Sequence, residues 1–246
     1  MTEPIPLSRV QRVRHELKRR ELTVVRVAPT SPHFRRITFT SDSLVDFISA
    51  SFDDHLKLIL DTGRGEPAMR DYTPRRFDTA ARELDIEFAL HGDGPAANWA
   101  AQAAPGQRVM IGGPRGSFIV PTDYAWHLLI GDDTALPAVA RRLEELPAGT
   151  RAIVRMVVAD TKDRRLPASA AAVEVEWFDS TDALLASIRA LTLPAGEGYA
   201  WCAGEAAATA ELRRVLVDEK GHSRHAIRAA AYWKRGAIAH HESLDG

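Results

Sequence analysis

Two hydrophobic periods divide this chain, and their change near Pro121 and Asp123 constrains the fold more than any other feature. Before it, short runs alternate or are β-branched: Leu22 to Val27, Phe34 to Thr40, His55 to Leu60, Met69 to Arg76, Leu84 to Leu90 and Arg108 to Ile111. Period two reads as half-buried strands, and the Gly and Pro turns between them make many short strands with a single helix. That pattern predicts a small antiparallel β-barrel. After the change, strands and helices alternate: strand Trp126 to Ile130, helix Ala135 to Leu146, strands Ala152 to Ala159 and Val173 to Phe178, helix Ala183 to Leu191, strand Tyr199 to Ala203, helix Ala206 to Asp218 and strand Ala226 to Tyr232. Such alternation predicts an α/β doubly wound parallel sheet, whose ligands bind at the carboxyl ends of the strands. The expected domains are therefore residues 1–123 and 124–246, the first led in by an amphipathic helix over Pro6 to Arg20, where Leu7, Val10, Val13 and Leu17 recur at helical spacing.

Composition removes several function classes. With 32 basic and 33 acidic residues the formal charge is -1, so no global field draws nucleic acid or an acidic membrane, and an anionic ligand needs a local cluster. Cys202 is the only cysteine, which excludes an internal disulfide and a multi-cysteine cluster and suits a reducing compartment. The amino terminus lacks a signal-peptide core and no apolar run reaches spanning length, so a soluble cytoplasmic protein is expected.

Arg70-Asp71-Tyr72-Thr73-Pro74-Arg75-Arg76-Phe77 reads as a strand with Arg70, Tyr72 and Pro74 on one face and Asp71, Thr73 and Arg75 on the other. Guanidinium forks beside an aromatic plane suit a flat, phosphate-bearing ligand such as a flavin dinucleotide. A half-buried strand whose arginines pair with nearby acids explains the same pattern. The run from His91 through Gly94, Pro95, Ala96 and Ala97 enters a helix whose first amides can hold an anion, or whose glycines merely permit a turn while Trp99 packs inside. A second glycine-rich turn, Gly112 to Phe118, carries Arg115. In the second half, Gly131 to Thr134, Asp160 to Arg165 and Gly204-Glu205 close strands. The GxGxxG fingerprint is absent, which disfavours an ordinary dinucleotide-binding dehydrogenase. Lys162, Arg164 and Arg165 suit a ribose 2′-phosphate, or an ordinary solvated loop. His222 and His225 have HxxH spacing and His240-His241 are adjacent, but no further matched ligands accompany them, so no metal site is expected.

Taken together and in order, "RDYTPRRFD", "HGDGPAANWA", "GPRGSF", "GDDTALPA", "WCAGEA" and "YWKRG" resemble the siderophore-interacting proteins, flavin-dependent ferric-siderophore reductases related to the ferredoxin-reductase superfamily. The resemblance implies an amino-terminal FAD-binding barrel and a carboxyl-terminal nicotinamide-nucleotide domain, with the flavin held across the cleft between them. It implies that Arg70, Tyr72 and Thr73, and more weakly Arg75, hold the flavin. His91 and the amides from Gly94 to Ala97 would meet the dinucleotide portion. Asp132, Thr134 and Ala135 would serve flavin and nicotinamide, Gly204 and Glu205 would line the nicotinamide side, and Trp233 would cover the flavin, unless it is simply packed in the core. One departure stands out: where ferredoxin reductases place Cys-Gly, this chain has Ala203-Gly204. Cys202 falls one residue earlier, on the opposite strand face, and reads as a buried structural thiol. No acid or base residue is strictly required for the metal step, because a flavin mediates between a hydride donor, NADPH or NADH, and a one-electron acceptor. Lys57, Arg115 and Lys234 would attract the anionic ferric siderophore. The alternatives are a general flavin or ferric-chelate reductase fed by a separate carrier such as ferredoxin, and a non-catalytic flavin-binding redox sensor.

Overall fold

A computed structural model of the chain describes residues 9–61, 63, 65–90, 94–236 and 242–243. They form two compact units, one of residues 12–119 and one of residues 120 onward together with the described residues 9–11. Among the described residues no helix is long and apolar enough to cross a membrane.

The first unit is built from strands β1 (Gln11–Arg14), β2 (Arg19–Ser31), β3 (Phe34–Thr40), β4 (Leu56–Leu60), β5 (Ala68–Tyr72), β6 (Arg76–Asp78), β7 (Glu83–Ala89), β8 (Arg108–Gly112) and β9 (Gly116–Ile119), with helix α1 (Pro95–Ala101) after β7. Seven of them form an antiparallel sheet in the order β5-β4-β8-β2-β3-β7-β6. The two edges are β5 and β6, yet only Thr73, Pro74 and Arg75 connect them. Four residue steps reach about 14 Å, whereas the edges of a flat seven-stranded sheet lie roughly 29 Å apart. The sheet must therefore curl into a barrel, closed at a seam by Thr73 to Arg75. Its interior is filled by Leu22, Ile37, Phe39, Leu58, Ile86, Phe88 and Ile111, none of which has any exposed surface.

Two expectations fail here. The run Met69 to Arg76 is not one strand: it breaks after Tyr72, where Pro74 has no N–H for a ladder, and resumes as β6 after the Arg75 amide donates to Asp85 at 2.9 Å. The lead-in helix is also absent from the described residues, which instead form β1, paired with β9, and the start of β2. Val13 and Leu17 are 39% and 53% exposed, so the helical spacing has no core to bury against. Gly116 makes the strand pairing possible, because a Cβ there would stand 2.4 Å from the Val13 carbonyl oxygen.

The second unit contains β10 (Trp126–Asp132), α2 (Leu136–Glu145), β11 (Arg151–Val157), β12 (Ala172–Phe178), α3 (Thr181–Ala190), β13 (Gly198–Glu205), α4 (Ala206–Arg214), β14 (Ile227–Trp233) and β15 (Glu242–Ser243). The sheet order is β12-β11-β10-β13-β14-β15, parallel except for the last pair. Successive strands step outward from β10 to β12, and the chain then returns to β13 on the other side of β10. The carboxyl ends of β10 and β13 thus form the switch point where such sheets receive ligands. Arg9 joins this unit through ion pairs with Asp123 and Glu197 and by lying over the Tyr124 ring. Cys202 is fully buried among Ile130, Ala200 and Ala229, and burial pushes its thiol up to about 12, as expected of a structural cysteine.

His127 on β10 is also fully buried, with one ring nitrogen 3.4 Å from the Thr122 carbonyl and the other without a hydrogen bond among the described residues. Burial first, and the Arg142 guanidinium second, lower its pKa from 6.5 to about 4. Between those values the unfolded chain binds the extra proton, so the stability tied to neutral His127 is complete above about pH 6.5 and is lost as pH falls toward 4. Urea denaturation should therefore show the stability of wild type relative to His127→Leu falling by about 3 kcal/mol from pH 7 to pH 4. A difference independent of pH would contradict the buried neutral imidazole.

Candidate functional site

At the barrel seam, β5 and β4 pair so that Tyr72 lies opposite Leu56 and Arg70 opposite Leu58, while Asp71 lies opposite Lys57. Directly opposed side chains share a sheet face. Tyr72 therefore sits on the face of the buried leucines, its ring 4.4 Å from that of Phe88, and burial raises its phenol pKa well above the usual value. Arg70 remains partly exposed and donates to the Met69 carbonyl at 2.8 Å. Thr73 and Arg75, on the crossing, are 7% and 5% exposed. The Arg75 Nε lies 3.8 Å from a Glu87 oxygen that Arg36 already holds at 2.6 Å, so two guanidiniums gather around one fully buried carboxylate.

Helix α1 is tied to the same end of the barrel by a chain of rings. Tyr72 meets Phe88, Phe88 meets Trp99 at 5.7 Å, and Trp99 stacks on Phe39 at 6.2 Å. Trp99 thus has the packing role that the sequence left open. Gly94 caps the helix without a side chain, and Pro95 brings no amide, so the amides of Ala96 and Ala97 begin a turn that no side chain among the described residues caps. Ala96 is 4% exposed. His91, with Gly92 and Asp93, lies outside the described residues. The seam and α1 offer aromatic rings, buried guanidinium and, among the described residues, uncapped amides, a donor set that fits a flat anionic dinucleotide.

Lys57 pairs in register with Gly112, the residue before the turn bearing Arg115, so both cations stand at one end of β4 and β8. Arg115 is exposed, whereas Lys57 donates to Asp71 at 2.7 Å and is partly neutralised. Lys234 is exposed directly after β14.

In the parallel sheet the switch point is organised by Asp132. One of its oxygens accepts the Thr134 amide at 3.0 Å and the Thr134 hydroxyl at 2.5 Å; the other accepts the Glu205 amide at 2.9 Å and the Trp233 indole N–H at 2.8 Å. Burial, and then the adjacent Asp133 charge, push the carboxyl up to about 6 despite these donors. Ala135 is fully buried, and its methyl occupies the space that a side chain at Gly131 would need, 2.6 Å from such a Cβ. Gly204 has φ +145, and a Cβ there would stand 2.4 Å from the Asp132 carboxylate. Both glycines therefore serve close packing within the unit. Glu205 caps α4, accepting the amides of Ala207 at 2.7 Å and Ala208 at 3.1 Å, while its other oxygen accepts the Arg235 amide. Burial opposes its charge, but these amides together with the Arg235 charge outweigh it and lower its pKa.

Of the three cations after β11, Arg164 is committed to its own loop, donating to the Val158 carbonyl at 3.1 Å and pairing with Asp179. Lys162 is exposed. The ring of His222 bonds the Ala226 carbonyl at 2.9 Å, while His240 and His241 lie outside the described residues. The sequence reading missed Phe88 as the support of the seam and Asp132 as the tether of Trp233. The first was visible as an aromatic in period with Leu84 and Ile86; the second had no local signal, since 101 residues separate the partners.

Residues 124–236 match the siderophore-interacting protein family, and residues 23–66 and 61–118 match the siderophore-interacting FAD-binding domain. An Escherichia coli (strain K12) protein named NADPH-dependent ferric-chelate reductase is 36% identical over 91% of this chain and 96% of its own. The chain belongs to the siderophore-interacting protein family. Two further likenesses agree with that membership. The ferric vibriobactin reductase ViuB of Vibrio cholerae is 30% identical over 91% of this siderophore-interacting protein and 93% of its own length. The crystal structure of a siderophore utilization protein from T. fusca superposes with a TM-score of 0.86 and 33% identity, covering 93% of this chain and 97% of that one.

Proposed function

We propose that this siderophore-interacting protein is a cytoplasmic reductase that takes electrons from NADPH through FAD to a ferric siderophore and releases the iron as ferrous ion. The observation that carries the reading is the barrel seam, where Tyr72, Thr73 and Arg75 stand beside a helix whose first amides no side chain among the described residues caps. Arg70, Tyr72, Thr73 and Arg75, with the amides of Gly94, Ala96 and Ala97, hold the FAD, and His91 belongs to the same stretch. The nucleotide is received at the switch point by Thr134, Ala135, Gly204, Glu205 and Trp233, grouped around Asp132. FAD held there would supply the chemistry that links a two-electron hydride donor to a one-electron acceptor such as ferric iron. The protein's own residues bind and orient these groups. The full hydrogen bonding of Asp132, and the three backbone amides that Glu205 accepts, support a mechanism in which neither works as an acid or base.

Lys57, Arg115 and Lys234 attract the anionic chelate through a field that salt screens. NADPH is favoured as donor by the name of the Escherichia coli relative, and NADH and reduced ferredoxin are the alternatives to be compared. Purified protein supplied with FAD should turn yellow and bleach anaerobically on adding NADPH, more slowly with NADH. Failure to take up FAD would sink the reading, and bleaching by reduced ferredoxin alone would overturn the donor.

A further inference from the structure

A carboxylate offers about four acceptor positions, and in Asp132 all four are occupied by the protein itself. None is left for the nucleotide amide or a transferred proton. Three of the four donors are the amide and hydroxyl of Thr134, two residues away, and the Glu205 amide at the end of β13, groups that the turn and strand already hold. The fourth is different in kind. Trp233 ends β14 in register with Glu205, and its side chain is large and 38% exposed. Gly204 makes the arrangement possible, since any side chain there would displace the carboxylate.

We propose that Asp132 is a positioning residue whose carboxylate fixes the indole of Trp233 at the carboxyl ends of β10, β13 and β14, so that the nucleotide meets the ring in one orientation. The inference rests on the reading of this switch point as the nucleotide site. It replaces a direct cofactor contact by Asp132 with an indirect one through Trp233. The charged groups around the carboxylate are Asp133 beside it, Glu205, which is turned to the first turn of α4, and Arg235, whose charge acts on Glu205. Protonated Asp132 has one oxygen occupied by its own hydrogen and cannot accept all four donors. The indole, the donor least held by the backbone, is the one released.

The five tryptophans give five indole N–H signals in a nitrogen-15 NMR spectrum of the full-length flavin-loaded protein, and the one lost in Trp233→Phe is that of Trp233. In Asp132→Asn that proton should exchange with solvent about tenfold faster, while the other four signals keep their positions. In wild type its shift should titrate with a midpoint near the value of about 6 at which the carboxyl gains its proton. Asp132→Asn and Trp233→Phe should each weaken NADPH binding, and the double variant should lose no more than the worse single one. Unchanged exchange in a folded Asp132→Asn protein would overturn the proposal. If that variant does not fold, a wild-type indole shift that is flat between pH 5 and pH 8 overturns it instead. Wild-type protein that fails to bind NADPH would refute the nucleotide-site reading, while the indole exchange would still report on the tether itself.

Discussion

Gly204→Ala is expected to lower the free energy of unfolding by about 2–5 kcal/mol and to suppress flavin reduction by NADPH in the fraction that stays folded. Two costs combine. The residue has φ +145, a conformation that side chains rarely adopt, and the added Cβ would lie 2.4 Å from one Asp132 oxygen and 2.7 Å from its carboxyl carbon. The backbone strain is intrinsic to position 204, whereas the clash is with one side chain. Adding Asp132→Ala should therefore recover the clash and leave the strain, so the two substitutions together should cost clearly less than their sum. Strict additivity in urea denaturation would show that Gly204 and Asp132 are not in the contact described.

Phe88→Ala should cost about 3–5 kcal/mol and release FAD, because one fully buried ring supports both Tyr72 at the seam and Trp99 on α1. Phe88→Leu keeps most of the volume and should retain the flavin with a smaller loss of stability. Flavin fluorescence, quenched in the complex and restored on release, reads this directly during thermal unfolding. A Phe88→Ala protein that remains folded and holds FAD with unchanged affinity would show that the aromatic chain does not support the site.

Much of this architecture is legible in local patterns. Alternation in Phe34 to Thr40 and Leu84 to Leu90, and the strand-helix rhythm after Trp126, specify elements that bury apolar side chains, and the observed β3, β7, β10, α2 and β13 follow. The burial of Cys202 follows from its place one residue before the position of the Cys-Gly pair in ferredoxin reductases, together with strand alternation. What failed depends on distant partners. The spacing of Val10, Val13 and Leu17 suits a helix in isolation, but Gly116 lets the β9 backbone approach and pair it as a strand. Thr73 and Arg75 alternate like strand residues in sequence, yet three residues must cross from one edge of the sheet to the other, and the crossing overrides the local period. At the switch point, sequence marked Asp132, Glu205 and Trp233 through resemblance. The hydrogen bonds that give them separate tasks link residues 73 and 101 positions apart, and no window of sequence contains them.

The central claim is that this chain passes electrons from a reduced nicotinamide through FAD to ferric iron. It is tested most directly by mixing the NADPH-reduced, flavin-loaded protein with a ferric siderophore under anaerobic conditions while a chromogenic chelator traps ferrous ion. Rapid return of the yellow flavin with two ferrous ions trapped for each NADPH consumed is the predicted result, because the donor gives two electrons and each ferric ion takes one. Flavin that stays bleached in the presence of the ferric chelate, with no ferrous ion trapped, would contradict the account.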